Sequence, residues 1–113
     1  MKLAVLLAFA AALLAPSVAA PPRLDATVGP GFDITLNRGD KAVHKLKAGK
    51  YRVKVVDKSD MHNFHLKGPG VNKKTSVEGK GTVTWTVTFR KGKYTFLCDP
   101  HSDSMIGHFT ATG

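Results

Sequence analysis

Cysteine and acid are what this sequence has least of. Its 113 residues contain a single Cys, and eight Asp and Glu stand against seventeen Lys and Arg, for a formal net charge of +9. One cysteine excludes an intramolecular disulfide and any cluster of thiolates. Long apolar runs are missing too: the longest, Leu3 to Leu14, falls short of the roughly 20 residues that span a bilayer. No helical period survives two turns, no segment repeats, and there is neither a glycine-rich phosphate loop nor an aromatic stacking motif. An apolar fraction of 42% with ordinary charge content excludes a disordered chain. The length allows one domain and no more.

The first apolar run reads as a targeting segment. Lys2 is a short positive n-region, Leu3 to Leu14 an uncharged h-region, and Ser17-Val18-Ala19 places small residues where a signal peptidase reads them. Cleavage is expected after Ala19, because cutting after Ala20 would leave Pro21 immediately beyond the cut. Residues 1–19 are then a signal peptide and 20–113 the working domain, with a periplasmic or secreted location and no membrane span after cleavage. No cysteine follows the h-region, so lipidation at the new N-terminus is excluded. The remaining chain, about 94 residues, is long enough to bury one core. Exported domains of this size often rely on disulfides. Here Cys98 must instead be an inert buried thiol, half of an intermolecular bridge, or a metal ligand.

Beyond Arg23 the chain is a series of short alternating runs cut by Gly, Pro, Asn and Asp, which predicts an all-β Greek-key sandwich of seven to nine strands. The runs are Arg23–Val28, Asp33–Leu36, Lys41–Leu46, Gly49–Lys58, Asn63–Lys67, Lys73–Val77, Thr82–Phe89, Tyr94–Leu97 and Gly107–Ala111. In Thr82–Phe89 the period is strictly two, with Val83, Trp85, Val87 and Phe89 on one face and threonines on the other. Arg90-Lys91-Gly92-Lys93 reads as a hairpin turn to Tyr94, with Gly92 available for positive φ. Lys45, Lys47, Lys50, Arg52, Lys54 and Lys58 are read as solvent-facing charges, some guarding sheet edges, or as a docking surface.

Chemistry concentrates in Cys98-Asp99-Pro100-His101-Ser102-Asp103-Ser104-Met105, between two runs, and in His62-Asn63 upstream. Two imidazoles, one thiolate and a weak thioether are the donor set of a blue-copper site. Taken singly, each has a plainer reading: Cys98 as a small buried hydrophobe, His101 as a loop histidine, Met105 as packing. In an extended strand His62 and His65 face opposite sides, so they would not easily share one metal; His65 is read as a polar or half-buried strand residue, with a supporting hydrogen bond or a second surface metal site as the alternatives. Met61 is read as packing, and His44 and His108 as structural or exposed.

The segment Tyr94-Thr95-Phe96-Leu97-Cys98-Asp99-Pro100-His101, followed by Met105-Ile106-Gly107-His108-Phe109-Thr110, resembles the C-terminal copper loop of cupredoxins of the plastocyanin and amicyanin kind, and His62-Asn63 resembles their upstream pair. The likeness runs from the first strand to the last. It implies one type 1 copper, with His62, Cys98 and His101 as equatorial ligands and Met105 as the axial one, and one-electron carriage without substrate turnover. It also implies that Asn63 ties the two ligand segments together. Where the family often has a small hydroxyl residue after the cysteine, this chain has Asp99, whose carboxylate can accept from the Asn63 amide and is expected to favour Cu(II). The loops at this end are expected to form an apolar rim around the downstream histidine, with Met61, Pro69, Pro100 and Ile106 as candidates.

Three other functions compete. The same ligands could buffer or deliver copper in the envelope. The basic surface could bind nucleic acid or another polyanion, although export argues against nucleic acid. Cys98 and His101 could act as nucleophile and base, but no oxyanion feature accompanies them. The carrier reading expects a monomer that meets a redox partner through an acidic patch on that partner.

Overall fold

Ten strands alternate with turns over residues 19–113, the part of the chain that the computed structural model describes. The leader read at residues 1–19 lies, except for its last residue, outside that part. The strands are β1 (Arg23–Val28), β2 (Ile34–Arg38), β3 (Lys41–Ala42), β4 (Lys45–Lys47), β5 (Gly49–Asp57), β6 (His65–Gly68), β7 (Val71–Lys74), β8 (Gly81–Phe89), β9 (Gly92–Leu97) and β10 (Ile106–Thr112). They form two five-stranded sheets, ordered β3-β2-β1-β5-β8 and β4-β10-β9-β6-β7. Each sheet has one parallel pairing, β1 with β5 and β4 with β10, and is otherwise antiparallel. One turn of 3-10 helix, Asp99–His101, interrupts the β pattern. No helix among the described residues is long and apolar enough to cross a membrane.

Alternation builds the core. Leu24, Ala26 and Val28 of β1 and Val53 and Val55 of β5 are fully buried, and Leu66, Phe96 and Phe109 meet them from the other sheet. Two aromatic groups sit at opposite ends of this layer. Phe64 stacks on Phe96 at 5.7 Å beneath the Cys98 loop, while Phe89, Tyr94 and Phe109 pack within 4.9 to 5.2 Å of one another at the far end. Rings at such spacings add to plain area burial.

The structure departs from the sequence expectation in several places, among them the run read as Lys73–Val77, which is β7 at Val71–Lys74. The run Lys41–Leu46 divides into β3 and β4, which is why there are ten strands. Val43 turns inward, its N–H donating to the Leu36 carbonyl at 2.9 Å, and the two halves join different sheets. The Arg90–Lys93 segment is not a hairpin turn either. Strands β8 and β9 belong to different sheets, so the segment carries the chain across the sandwich. Alternation reports the face of a strand, not its partner, and the two cases look alike in sequence. Gly92 is required there: its φ is 147°, and a Cβ would lie 2.7 Å from Pro69 Cγ. Strand β8 has a neighbour on one side only, which leaves Val83 38% exposed on the face expected to be buried.

Tyr94 fastens this crossing. It is buried, and its hydroxyl donates to the Arg90 carbonyl at 2.7 Å, with the Pro69 carbonyl 3.3 Å away. Burial, opposed in part by the Arg90 surroundings, raises the phenol above its usual value of 10.0. The unfolded chain ionises at the ordinary value while the folded chain keeps its proton, so stability is lost as pH climbs past about 10. Tyr94→Phe should cost about 1 kcal/mol at neutral pH and flatten that alkaline decline. Urea unfolding on both sides of the phenol range checks this, and equal slopes in the two proteins would refute it.

Candidate metal centre

Two loops at one end of the sandwich carry the chemistry, and each is shaped by its own hydrogen bonds. In the first, Asp57 ends β5 and its carboxylate accepts from the Ser59 N–H at 3.0 Å; the Ser59 hydroxyl then accepts from the Met61 N–H at 3.1 Å. These two short side-chain turns bend the chain and deliver His62, which is 1% exposed. In the second, β9 runs into Cys98, which is fully buried. Pro100 lies in the first turn of the 3-10 helix, where its fixed φ suits the start of a helix. That turn folds His101 back, its N–H bonded to the Cys98 carbonyl at 3.0 Å. The loop closes through Met105, whose N–H donates to the His101 carbonyl at 2.8 Å and whose carbonyl accepts from the Cys98 N–H at 3.0 Å. Met105 is itself buried.

The result is a convergent donor set. Nδ1 of His62 lies 3.7 Å and Nδ1 of His101 3.6 Å from Sγ of Cys98, and one donor atom from each of the three residues falls within 4.8 Å of the others. The spacing can be tested against a metal. Bonds of about 2.0 Å to nitrogen and about 2.3 Å to sulfur, opened by about 115°, separate the two donors by about 3.6 Å. The donors therefore fit one ion held between them. Their chemistry, one soft thiolate with two imidazoles, selects copper over hard cations.

Asn63 joins the two loops. Its backbone N–H points at Cys98 Sγ (3.4 Å), its side-chain oxygen accepts from the Asp99 N–H (2.8 Å), and its amide nitrogen donates to the Asp99 carboxylate (2.8 Å) and to the Thr75 carbonyl (3.1 Å). The other Asp99 oxygen meets His65 Nδ1 at 2.9 Å, and His65 Nε2 lies 2.6 Å from the Asn72 side-chain oxygen. Partial burial alone would raise the Asp99 carboxyl. The bonds from His65 and Asn63, with the charges of His65 and Lys74, outweigh it and hold the group below its usual value. Asp57 goes the other way: burial raises it despite the Ser59 N–H, the nearby His62 and the Thr75 hydroxyl.

His65 is thus apart from the donor cluster, with its ring nitrogens facing Asp99 and Asn72 instead. It pairs with Leu97 across β6 and β9, so it meets Asp99, two residues on and on the same side. His44 and His108 are exposed, His108 resting 3.2 Å from the Thr95 hydroxyl. The rim needs one correction: Pro69 is at the other end of the sandwich, against Gly92 and the Tyr94 hydroxyl. Met61 is 54% exposed, which overturns its reading as packing and leaves it a rim residue with Ile106 and Pro100. Phe32 escaped the sequence reading. It lies in the β1–β2 turn, 66% exposed, with its ring 5.0 Å from both His62 and His101. A lone aromatic in a Gly-Pro-Gly turn belongs to no periodic run, so only its place at the end of a strand could have flagged it.

A two-sheet sandwich that gathers two imidazoles and one thiolate at one end defines a cupredoxin, a mononuclear type 1 copper protein. A profile described as copper binding proteins of the plastocyanin/azurin family matches residues 25–112, and the chain belongs to that family. Among solved structures, reduced rusticyanin is similar at 20% identity with a TM-score of 0.61, covering 80% of this chain and 78% of that one. Rusticyanin from Thiobacillus ferrooxidans is similar at 19% identity and a TM-score of 0.58, covering 80% and 76%. At these identities the likeness concerns the fold. A search of curated protein sequences found no match.

Proposed function

We propose that the protein is an exported one-electron carrier. Residues 1–19 are removed as a signal peptide, and 20–113 hold one copper through Nδ1 of His62, Sγ of Cys98 and Nδ1 of His101, with the Met105 thioether as a weak axial donor. Bound copper supplies the one-electron couple. The chain supplies a fixed cage: the Asn63 bonds and the closed Cys98–Met105 loop keep the donors in place whichever charge they surround. The observation that carries this reading is the burial gradient, with Cys98 at 0% and His62 at 1% exposed while His101 alone reaches the surface. A closed donor set with one exposed imidazole suits electron exchange across a surface better than release of the ion. Phe32 packs edge-on against that imidazole and, with the exposed Met61 and Ile106, offers a small apolar contact, which suits a partner that must leave quickly.

The test combines metal retention with kinetics. The copper-loaded protein should lose metal slowly to a chelator and exchange electrons rapidly with itself. Its association with an acidic redox partner should slow by about tenfold or more from low salt to a few tenths molar, because exposed charges are screened beyond about 8–10 Å. Rapid metal loss with sluggish exchange would instead identify a copper delivery protein, and rates flat in salt would remove the electrostatic docking.

A further inference from the structure

A chain of hydrogen bonds leads from the surface to the thiolate without involving either histidine of the donor cluster. It starts at Asn72 on β7, whose side-chain oxygen is 2.6 Å from His65 Nε2. It continues through His65 Nδ1 to the Asp99 carboxylate at 2.9 Å, and from the second Asp99 oxygen to the Asn63 amide at 2.8 Å. It ends where the Asn63 N–H faces Cys98 Sγ at 3.4 Å. A carboxylate only accepts, so His65 donates from Nδ1. Without that donor, the half-exposed Asp99 side chain has only the Asn63 amide to hold it against solvent.

We propose that His65 is a positioning residue for the metal centre: by binding Asp99 it locks the Asn63 brace and fixes the N–H that Asn63 directs at the Cys98 sulfur. The inference rests on the ligand assignment proposed above. It goes beyond it, because His65 touches no donor atom and its effect travels through two other side chains. The direction of the effect follows from charge. An N–H aimed at sulfur withdraws electron density from the thiolate, and a donor on Asp99 disperses the carboxylate charge beside it. Both favour the reduced ion. Removing His65 loosens the first and exposes the second, so both changes favour the oxidised ion.

The test uses the copper-loaded full domain and three readouts: midpoint potential, position of the thiolate-to-copper absorption, and rate of copper loss to a chelator. His65→Phe removes both ring nitrogens at similar volume. It should lower the potential, shift the absorption and speed copper loss by about tenfold, a typical cost of deleting a group that supports a metal ligand. His65→Gln restores a donor toward Asp99 and should return all three toward the wild-type values. If His65→Phe does not fold, Asn72→Ala releases the outer end of the chain and should shift the potential in the same direction by less. A lower melting temperature with unchanged potential and absorption would overturn the proposal, leaving His65 a merely structural residue. A blue wild type with such a variant sinks this inference alone; a colourless wild type sinks the ligand assignment and this inference with it.

Discussion

Cys98→Ser is expected to abolish the intense blue absorption of the copper-loaded protein completely. The band arises from charge transfer between a thiolate and copper, and an alcohol at this position neither ionises near neutral pH nor offers a soft donor. The narrow hyperfine splitting in the EPR spectrum should go with it. The fold should remain: Cys98 is fully buried, serine is close to it in size, and the loop is closed by backbone bonds from Cys98 to His101 and Met105 that the substitution leaves alone. Far-ultraviolet circular dichroism of the metal-free proteins checks that point. A variant that stays blue would mean that copper sits elsewhere. Alkylation of the copper-loaded wild type addresses the nucleophile reading, since a metal-bound thiolate should be protected whereas a catalytic nucleophile would react.

Phe89→Ala should produce the largest loss of stability, although the residue is far from the metal. Phe89 is fully buried and contacts Tyr51, Tyr94 and Phe109. Truncating such a ring costs about 3–5 kcal/mol, against a total of about 5–15 kcal/mol for a typical domain. The melting temperature of the metal-free protein should fall by about 15–30 °C. Copper at a hundredfold excess over its dissociation constant adds about 2.7 kcal/mol, so loading should restore much of the loss. A fall of only a few degrees would show that the ring's neighbours close the gap.

Strand positions were legible where alternation was strict. β1 was read to the residue, and β5 and β8 to within one at an end. Partners were not legible, because period two specifies faces while the choice of sheet depends on loops such as Arg90–Lys93. The cluster of His62, Cys98 and His101 was legible because the chain has a single cysteine and a histidine three residues on shares its loop. The link between Asn63 and Asp99 followed from the resemblance to cupredoxins together with the ability of a carboxylate to accept from an amide, and the structure brings the two together. Two contacts at the site were not legible. Phe32 reaches the imidazoles only because the β1–β2 turn folds over that end. His65 meets Asp99 only through the β6–β9 register, a relation between residues far apart in the chain.

The two parallel pairings govern the order in which the molecule can form. β1, the first strand, lies in the middle of its sheet and waits for β5, and β10, the last, is inserted between β4 and β9. Contacts between such distant segments are slow to form because loop entropy is lost before they contribute. A chain still missing its final residues has no β10, so the Cys98–Met105 loop loses the strand that anchors its far end against β9, although β6 and β9 already hold the His62 and Cys98 segments together. The C-terminal strand is thus a clasp for the second sheet rather than a source of donors. Removing residues 106–113 would leave His62, Cys98 and His101 in the chain and the loop that carries two of them unanchored.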